Sequence, residues 1–298
     1  MRRLVLSFLV AATSVAAVTS GCFTPQPPPP CQVVPTQDFN GNPPYLARFT
    51  KLGESGTCTG VTPLTSMVVG VQDFIPPGTG KASLALRPAR LVDMAQGRVF
   101  SADVDATNDC QAALDGEEDP RCDTCSADGG NPCVLVPDPV RRSDPTDPTG
   151  AKLNALGGFP RAPENGRCIT TEALVAEQNF SAVALPLVDG GTAQLPALPV
   201  RFAFETVSVI TTFEVPGTAF TATLAHTEGA CTTRYDVVAF YPAVGCSFDA
   251  DCDPNPDLDA GRTIGSGINP DFKPRCDTTL QFCVPTVDLT KPGLPALP

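Results

Sequence analysis

Residues Val200–Tyr241 read VRFAFETVSVITTFEVPGTAFTATLAHTEGACTTRYDVVAFY. Three runs rich in β-branched and aromatic residues are joined by EVPG and EGA, the composition of strands interrupted by tight reversals. Pro216 and Gly217 suit positions i+1 and i+2 of a type II turn, and Gly229 supplies the backbone freedom for the second reversal. Strand alternation puts Phe220, Ala222, Leu224 and His226 on one face of the middle run and Ala219, Thr221, Thr223 and Ala225 on the other. The stretch therefore predicts an antiparallel meander with one buried face.

Further upstream, YLARF, SMVVGVQ, ASLALR and GRVFSADV lie between Tyr45 and Val104, separated by Pro and Gly, and their period is nearer 2 than 3.6. Two helices are expected. In RPARLVDMAQG, Pro88 can open a short helix and Gly97 end it, and in TTEALVAEQN, Thr170 or Thr171 can serve as N-cap and Asn179 as the C-terminal end. The fold class that follows is mainly β: an antiparallel β-sandwich, with a barrel as the alternative, spanning residues 45–245.

Two cysteine-rich stretches interrupt or follow this domain. An insertion at about 103–167 contains DGEEDPRCDTCSADGGNPC, which has too little apolar surface to offset its ordering entropy without cross-links. Its continuation, Val136–Gly150, is polar and Pro-rich and is expected to be a linker prone to disorder and nicking. A module over 246–290 and a tail over 291–298 complete the chain. CDTC at Cys122–Cys125 has a metal-binding spacing, but Cys110 and Cys133 stand alone, and strong zinc signals need a second pair or histidines. Disulfides are the better reading.

The N-terminus bears on the cysteine count. MRR followed by LVLSFLVAATSVAAV is a basic n-region and a short apolar h-region, so residues 1–21 read as a secretory signal. The run is shorter than the ~20 residues a membrane-spanning helix needs. The chain has 13 cysteines, an odd number for an exported protein. Setting aside Cys22 leaves twelve to pair: Cys31, Cys58, Cys110, Cys122, Cys125, Cys133, Cys168, Cys231, Cys246, Cys252, Cys276 and Cys283. By position they group as Cys31 with Cys58, Cys110 to Cys133, Cys168 with Cys231, and Cys246 to Cys283. Pairing within those groups is the expectation.

Gly21-Cys22 directly after the h-region resembles the lipobox of bacterial lipoproteins, with Thr19 where that family has an aliphatic residue. The resemblance implies that Cys22 is acylated, that the membrane is reached through this N-terminal lipid, and, because Phe23 replaces the Asp of inner-membrane retention, that the destination is the outer membrane. Residues 22–44 are then a lipid-anchored tether whose TPQPPPP run favours polyproline II, placing Cys31 roughly 25 Å from the lipid. The C-terminal stretch, with cysteines at 246, 252, 276 and 283, resembles small Cys-rich modules of uncharacterised bacterial surface lipoproteins.

Charge and motif content narrow the function. Without the signal the chain has 18 basic and 32 acidic side chains, a net charge of −14, which offers nucleic acid no electrostatic basis. The single histidine, His226, lies mid-strand, and there is no G-x-S-x-G elbow, so no enzyme is expected. The resulting expectation is a non-catalytic, lipid-anchored cell-surface protein with a structural or binding role and an unnamed protein or surface partner. Two alternatives stay open: a barrel carrying a small apolar ligand, and a calcium-stabilised interaction module. For the latter, Asp249, Asp251, Asp253, Asp257 and Asp259 place oxygen ligands at alternate positions; no other cofactor is expected.

Overall fold

The computed structural model describes residues 29–36, 43–78, 80–96, 98–100, 135–137, 143–186, 192–212, 215–258 and 263–287. In chain order these form β1 (Tyr45–Gly56), β2 (Ser66–Phe74), β3 (Ala82–Pro88), α1 (Ala89–Gln96), β4 (Arg98–Phe100), β5 (Leu135–Pro137), β6 (Ala155–Phe159), β7 (Arg167–Ile169) and β8 (Leu174–Phe180). There follow β9 (Val183–Pro186), β10 (Thr192–Leu195), β11 (Leu198–Thr211), β12 (Pro216–Glu228), β13 (Cys231–Phe240), β14 (Arg275–Asp277) and β15 (Phe282–Val284).

Nine strands make one antiparallel sheet in the order β12-β13-β1-β2-β3-β6-β8-β11-β7, and β12 pairs with β11 as well. The sheet thus coils round a single core, with a seam where β6 and β8 share one residue pair, Leu156↔Val175. It is a coiled sheet whose thinnest junction is that seam. Glycine makes the seam possible: a Cβ at Gly157 would lie 2.4 Å from Leu174 Cδ2, and one at Gly158 2.5 Å from Thr171 Oγ1. The Gly158 N–H donates instead to Glu172 Oε1 at 2.9 Å.

The meander is β11, β12 and β13. Phe220, Ala222, Leu224 and His226 face inward and are buried, while Thr221, Thr223 and Ala225 on the other face are partly exposed. In β11 the register shifts between Phe204↔Leu224 and Thr206↔Thr223, leaving Glu205 unmatched. This bulge changes the parity of the strand, so that Val200, Phe202 and Phe204 point inward before it and Val207 and Val209 after it. Tyr45, Phe49, Leu84, Leu86, Phe180 and Tyr235 complete the core with Leu91 of α1.

Several expectations need correction. β11 ends at Thr211 and β12 begins at Pro216, so Pro216 and Gly217 open β12 instead of forming the turn. TTEALVAEQN contains no helix: β8 alternates buried Leu174, Ala176, Gln178 and Phe180 with more exposed residues between. Its Glu, Ala and Gln favour helix locally, but pairing with β11 from Phe204↔Leu174 to Leu198↔Phe180 satisfies the backbone as a strand. The stretch taken as insertion also contributes β6, which pairs with β3 inside the main sheet. Helix α1, by contrast, forms immediately after Pro88 as the proline placement requires.

Part of the presumed linker is structural too. Of Val136–Gly150, residues 138–142 lie outside the described residues, but Asp144 and Asp147 are buried. Asp144 accepts from Thr146 N at 2.7 Å and Asn179 N at 2.7 Å. Asp147 accepts from Gln178 Nε2 at 2.6 Å, Lys152 N at 2.9 Å and Ala151 N at 3.0 Å. Burial alone would raise both carboxyls, but these hydrogen bonds outweigh it and hold them below the usual carboxylate value. Asp147→Asn should cost about 1–2 kcal/mol, because one oxygen that accepts becomes a donor facing donors. The urea midpoint measures this, and an unchanged midpoint would mean the 143–150 segment does not brace β8.

Candidate functional site

One end of the sheet is crossed by Cys31–Thr36, which follows the proline run directly, and this strap is the candidate site for anchorage. Cys31 is disulfide-bonded to Cys168 of β7, across 137 residues of chain. Beyond the covalent link, Cys31 N donates to Arg161 O at 3.2 Å, Val33 N to Asp73 Oδ2 at 3.2 Å, and Val34 N to Tyr45 Oη at 3.1 Å. Thr36 N donates to Val71 O at 2.9 Å while its hydroxyl accepts from Val71 N at 2.6 Å. The extended conformation of a Pro-flanked segment leaves main-chain donors free, and Val71 and Asp73 of β2, Tyr45 of β1 and Arg161 take them up.

Three side chains prepare this seat. The Tyr45 phenol donates to Gly217 O at 2.6 Å, and burial pushes its pKa well up, so it stays a neutral donor. Burial raises Asp73 above the usual carboxylate value, and the Val33 N–H partly offsets that. Gly217, at φ 75°, allows the strap to pass so close that a Cβ would meet Gln32 O at 2.1 Å. Arg161 donates to Pro76 O and Gly80 O, each at 2.6 Å, which ties the β2–β3 loop to the residue whose carbonyl holds Cys31.

Beside the strap, the C-terminal module covers the outer surface of the sheet. Leu46, Ile210, Ala219 and Phe240 point away from the main core and are buried by Ile268 and Phe272 together with Val215. Phe240 and Phe272 meet edge to face, with centroids 6.3 Å apart. The module is held by Cys246–Cys276 and Cys252–Cys283, and β14 pairs with β15.

At the opposite end, Cys58 is bonded to Cys231, next to the Gly229–Ala230 turn. Here α1 lies over the core, and Arg90 pairs with Glu228 at 2.8 Å. His226 is buried under it, its ring 4.5 Å from that of Phe202 and its Nε2 without a hydrogen-bond partner. Burial first, and then the charge of Arg90, push its pKa down to about 3. It is a neutral strand residue of the core.

The cysteines do not pair as their positions in the chain suggest: Cys31 joins Cys168 and not Cys58, and Cys58 joins Cys231. Register explains this, since Gly56↔Cys231 brings the end of β1 to the start of β13. Cys22, Cys110, Cys122, Cys125 and Cys133 lie outside the described residues. Of the aspartates proposed for calcium, Asp249 accepts from Cys276 N at 2.8 Å, Asp251 from Ser247 N at 2.8 Å, and Asp253 from Asn255 N at 2.9 Å. Asp257 is described, and Asp259 lies outside the described residues. Among the described residues, the group of three potential metal ligands drawn within 4.8 Å is Cys246, Cys252 and Cys283. Their sulfurs are spent in disulfides, whereas a metal needs thiolates. Sequence reading missed Tyr45, Asp73 and Arg161, whose roles depend on partners 11 to 172 residues away.

The MlpA family model matches residues 118–242, less than half of the chain, ending where β13 gives way to the module. A Myxococcus xanthus protein named "Putative lipoprotein MlpA" is 24% identical over 299 residues, covering 97% of this chain and 98% of the relative. No solved structure matches the chain.

Proposed function

We propose that the protein is a non-catalytic lipoprotein of the outer membrane, acylated at Cys22, whose sheet serves structural or binding contacts outside the cytoplasm. The observation that carries this reading is the strap. A tether fastened to a lipid has to hand its load to the fold, and here the residues just after the proline run are locked by the Cys31–Cys168 bond and by main-chain hydrogen bonds to Val71 and Asp73.

The full-length similarity to a protein named as a lipoprotein supports the same reading, as do the basic and apolar N-terminus, Gly21-Cys22 and the odd cysteine count. The interior is filled by Phe180, Phe202, Phe204, Phe220 and Tyr235, which suits the packed core of a sandwich better than a carrier of ligand.

In cells, Cys22→Ser should move the protein from the membrane fraction to the soluble one, or leave it unprocessed at the mass of the full chain. Unchanged partition together with an unchanged mature mass would overturn the assignment.

A further inference from the structure

We propose that the β2–β3 loop at the strapped end is a second, direct contact with the lipid bilayer, made by Phe74 and Ile75 inserting their side chains into the interface. This inference rests on the reading of Cys22 as the acylated residue.

Phe74 and Ile75 are 52% and 43% exposed, adjacent in sequence, and followed by Pro76, Pro77 and Gly78. No acidic residue occurs between Phe74 and Lys81, and Lys81 is exposed where the loop returns to β3. An apolar tip flanked by a lysine that can reach back to headgroup level is the composition of an interfacial segment. Asp73 does not oppose insertion at the base of the loop, because it is half-buried and accepts from Val33 N.

Position is the stronger argument. Arg161 donates to Pro76 O and Gly80 O and accepts from Cys31 N through its own carbonyl, so the loop and the end of the tether are fastened to one residue. Only eight residues separate Cys22 from Cys31, a reach of roughly 25 Å even when fully extended as polyproline II. The loop therefore stays within one tether length of the membrane. The acidic stretch 101–134, with nine acids and one base, belongs in the sequence to the connection between β4 and β5 and not to this loop. A net charge of −14 points to an apolar contact with zwitterionic lipid rather than an electrostatic one.

The absence of tryptophan from the chain gives a direct test. Full-length, membrane-extracted protein carrying Phe74→Trp is reconstituted into phosphatidylcholine vesicles with and without brominated acyl chains. Ile75→Trp serves as a second probe should the first variant fold poorly. Leu52→Trp is the control, since Leu52 is 55% exposed in β1 on the way to the Gly229–Ala230 turn. The expected result is a blue shift and loss of most emission at position 74 or 75 on brominated lipid, with the control unaffected. Co-flotation with the vesicles but no quenching at 74 or 75 overturns the contact and leaves the Cys22 anchor standing. A blue shift without quenching assigns the loop to a protein neighbour and overturns the lipid contact. Failure to float with vesicles removes the anchor and this inference together.

Discussion

Replacing Cys31 and Cys168 together by alanine is expected to destabilise the protein by about 5 kcal/mol, the chain-entropy value for releasing a loop of this length. The bond closes 137 residues, and it ties the strap to β7 at the edge of the sheet. For a domain of this size the melting temperature should fall by on the order of 10–20 °C. Alanine at 168 avoids burying a lone hydroxyl, since Cys168 is fully buried. Besides the melting curve, hydrogen exchange at Val33, Thr36 and Val71 should accelerate in the variant, because the strap would detach more readily from β2. A midpoint equal to that of the wild type would mean that the hydrogen bonds of the strap suffice without the covalent link. The anchorage argument would then lose its mechanical basis.

Acid sensitivity is the second large effect, and it falls on one residue because the chain has a single histidine. His226 has its pKa lowered from 6.5 to about 3 by burial and by Arg90, so the native state keeps it neutral. The unfolded chain gains a proton below about pH 6.5 that the native state refuses, and stability is therefore present above that value and lost as pH falls toward 3. By pH 4 the loss should reach roughly 3 kcal/mol. Glu228, with its Oε2 3.9 Å from His226 Nε2, is occupied by Arg90 and offers the imidazolium little. Asp144 and Asp147, held low, add their loss only below about pH 4, and the raised Asp73 acts with the opposite sign. His226→Leu should flatten the stability profile between pH 6.5 and 4 while leaving stability at pH 7 equal or higher, as it removes an unpartnered Nε2. An unaltered slope in denaturant midpoints over that range would assign the acid sensitivity elsewhere.

Much of the sheet could be read locally. The meander from Val200 to Tyr241 shows its strands because β-branched and aromatic residues alternate with polar ones over ten or more positions, and Gly229 marks a reversal of two residues. Helix α1 could be placed by Pro88 for the same reason, a constraint that acts on the next few residues. Where reading failed, the deciding neighbour was distant. TTEALVAEQN has helical composition, yet β11 on one side and the seam to β6 on the other make it β8. ALGGF looks too small and too glycine-rich for a core, and it is glycine that lets β6 approach Leu174 and Thr171. The buried aspartates of SDPTDPTG look like linker residues until Gln178 and Asn179 are set opposite them.

The sequence by itself determined the mainly β, antiparallel character, the short helix after Pro88 and the inward face of β12, since propensity, periodicity and proline geometry act within a few residues of chain. Only the tertiary structure decided that Cys31 meets Cys168 and Cys58 meets Cys231, because those pairs are 137 and 173 residues apart and depend on strand register. It likewise decided that Leu46, Ile210, Ala219 and Phe240, apolar on the outer face, are covered by the C-terminal module. Alternation assigns a residue to a face but says nothing about what is packed against it; that is set by which distant segment has apolar surface left to bury.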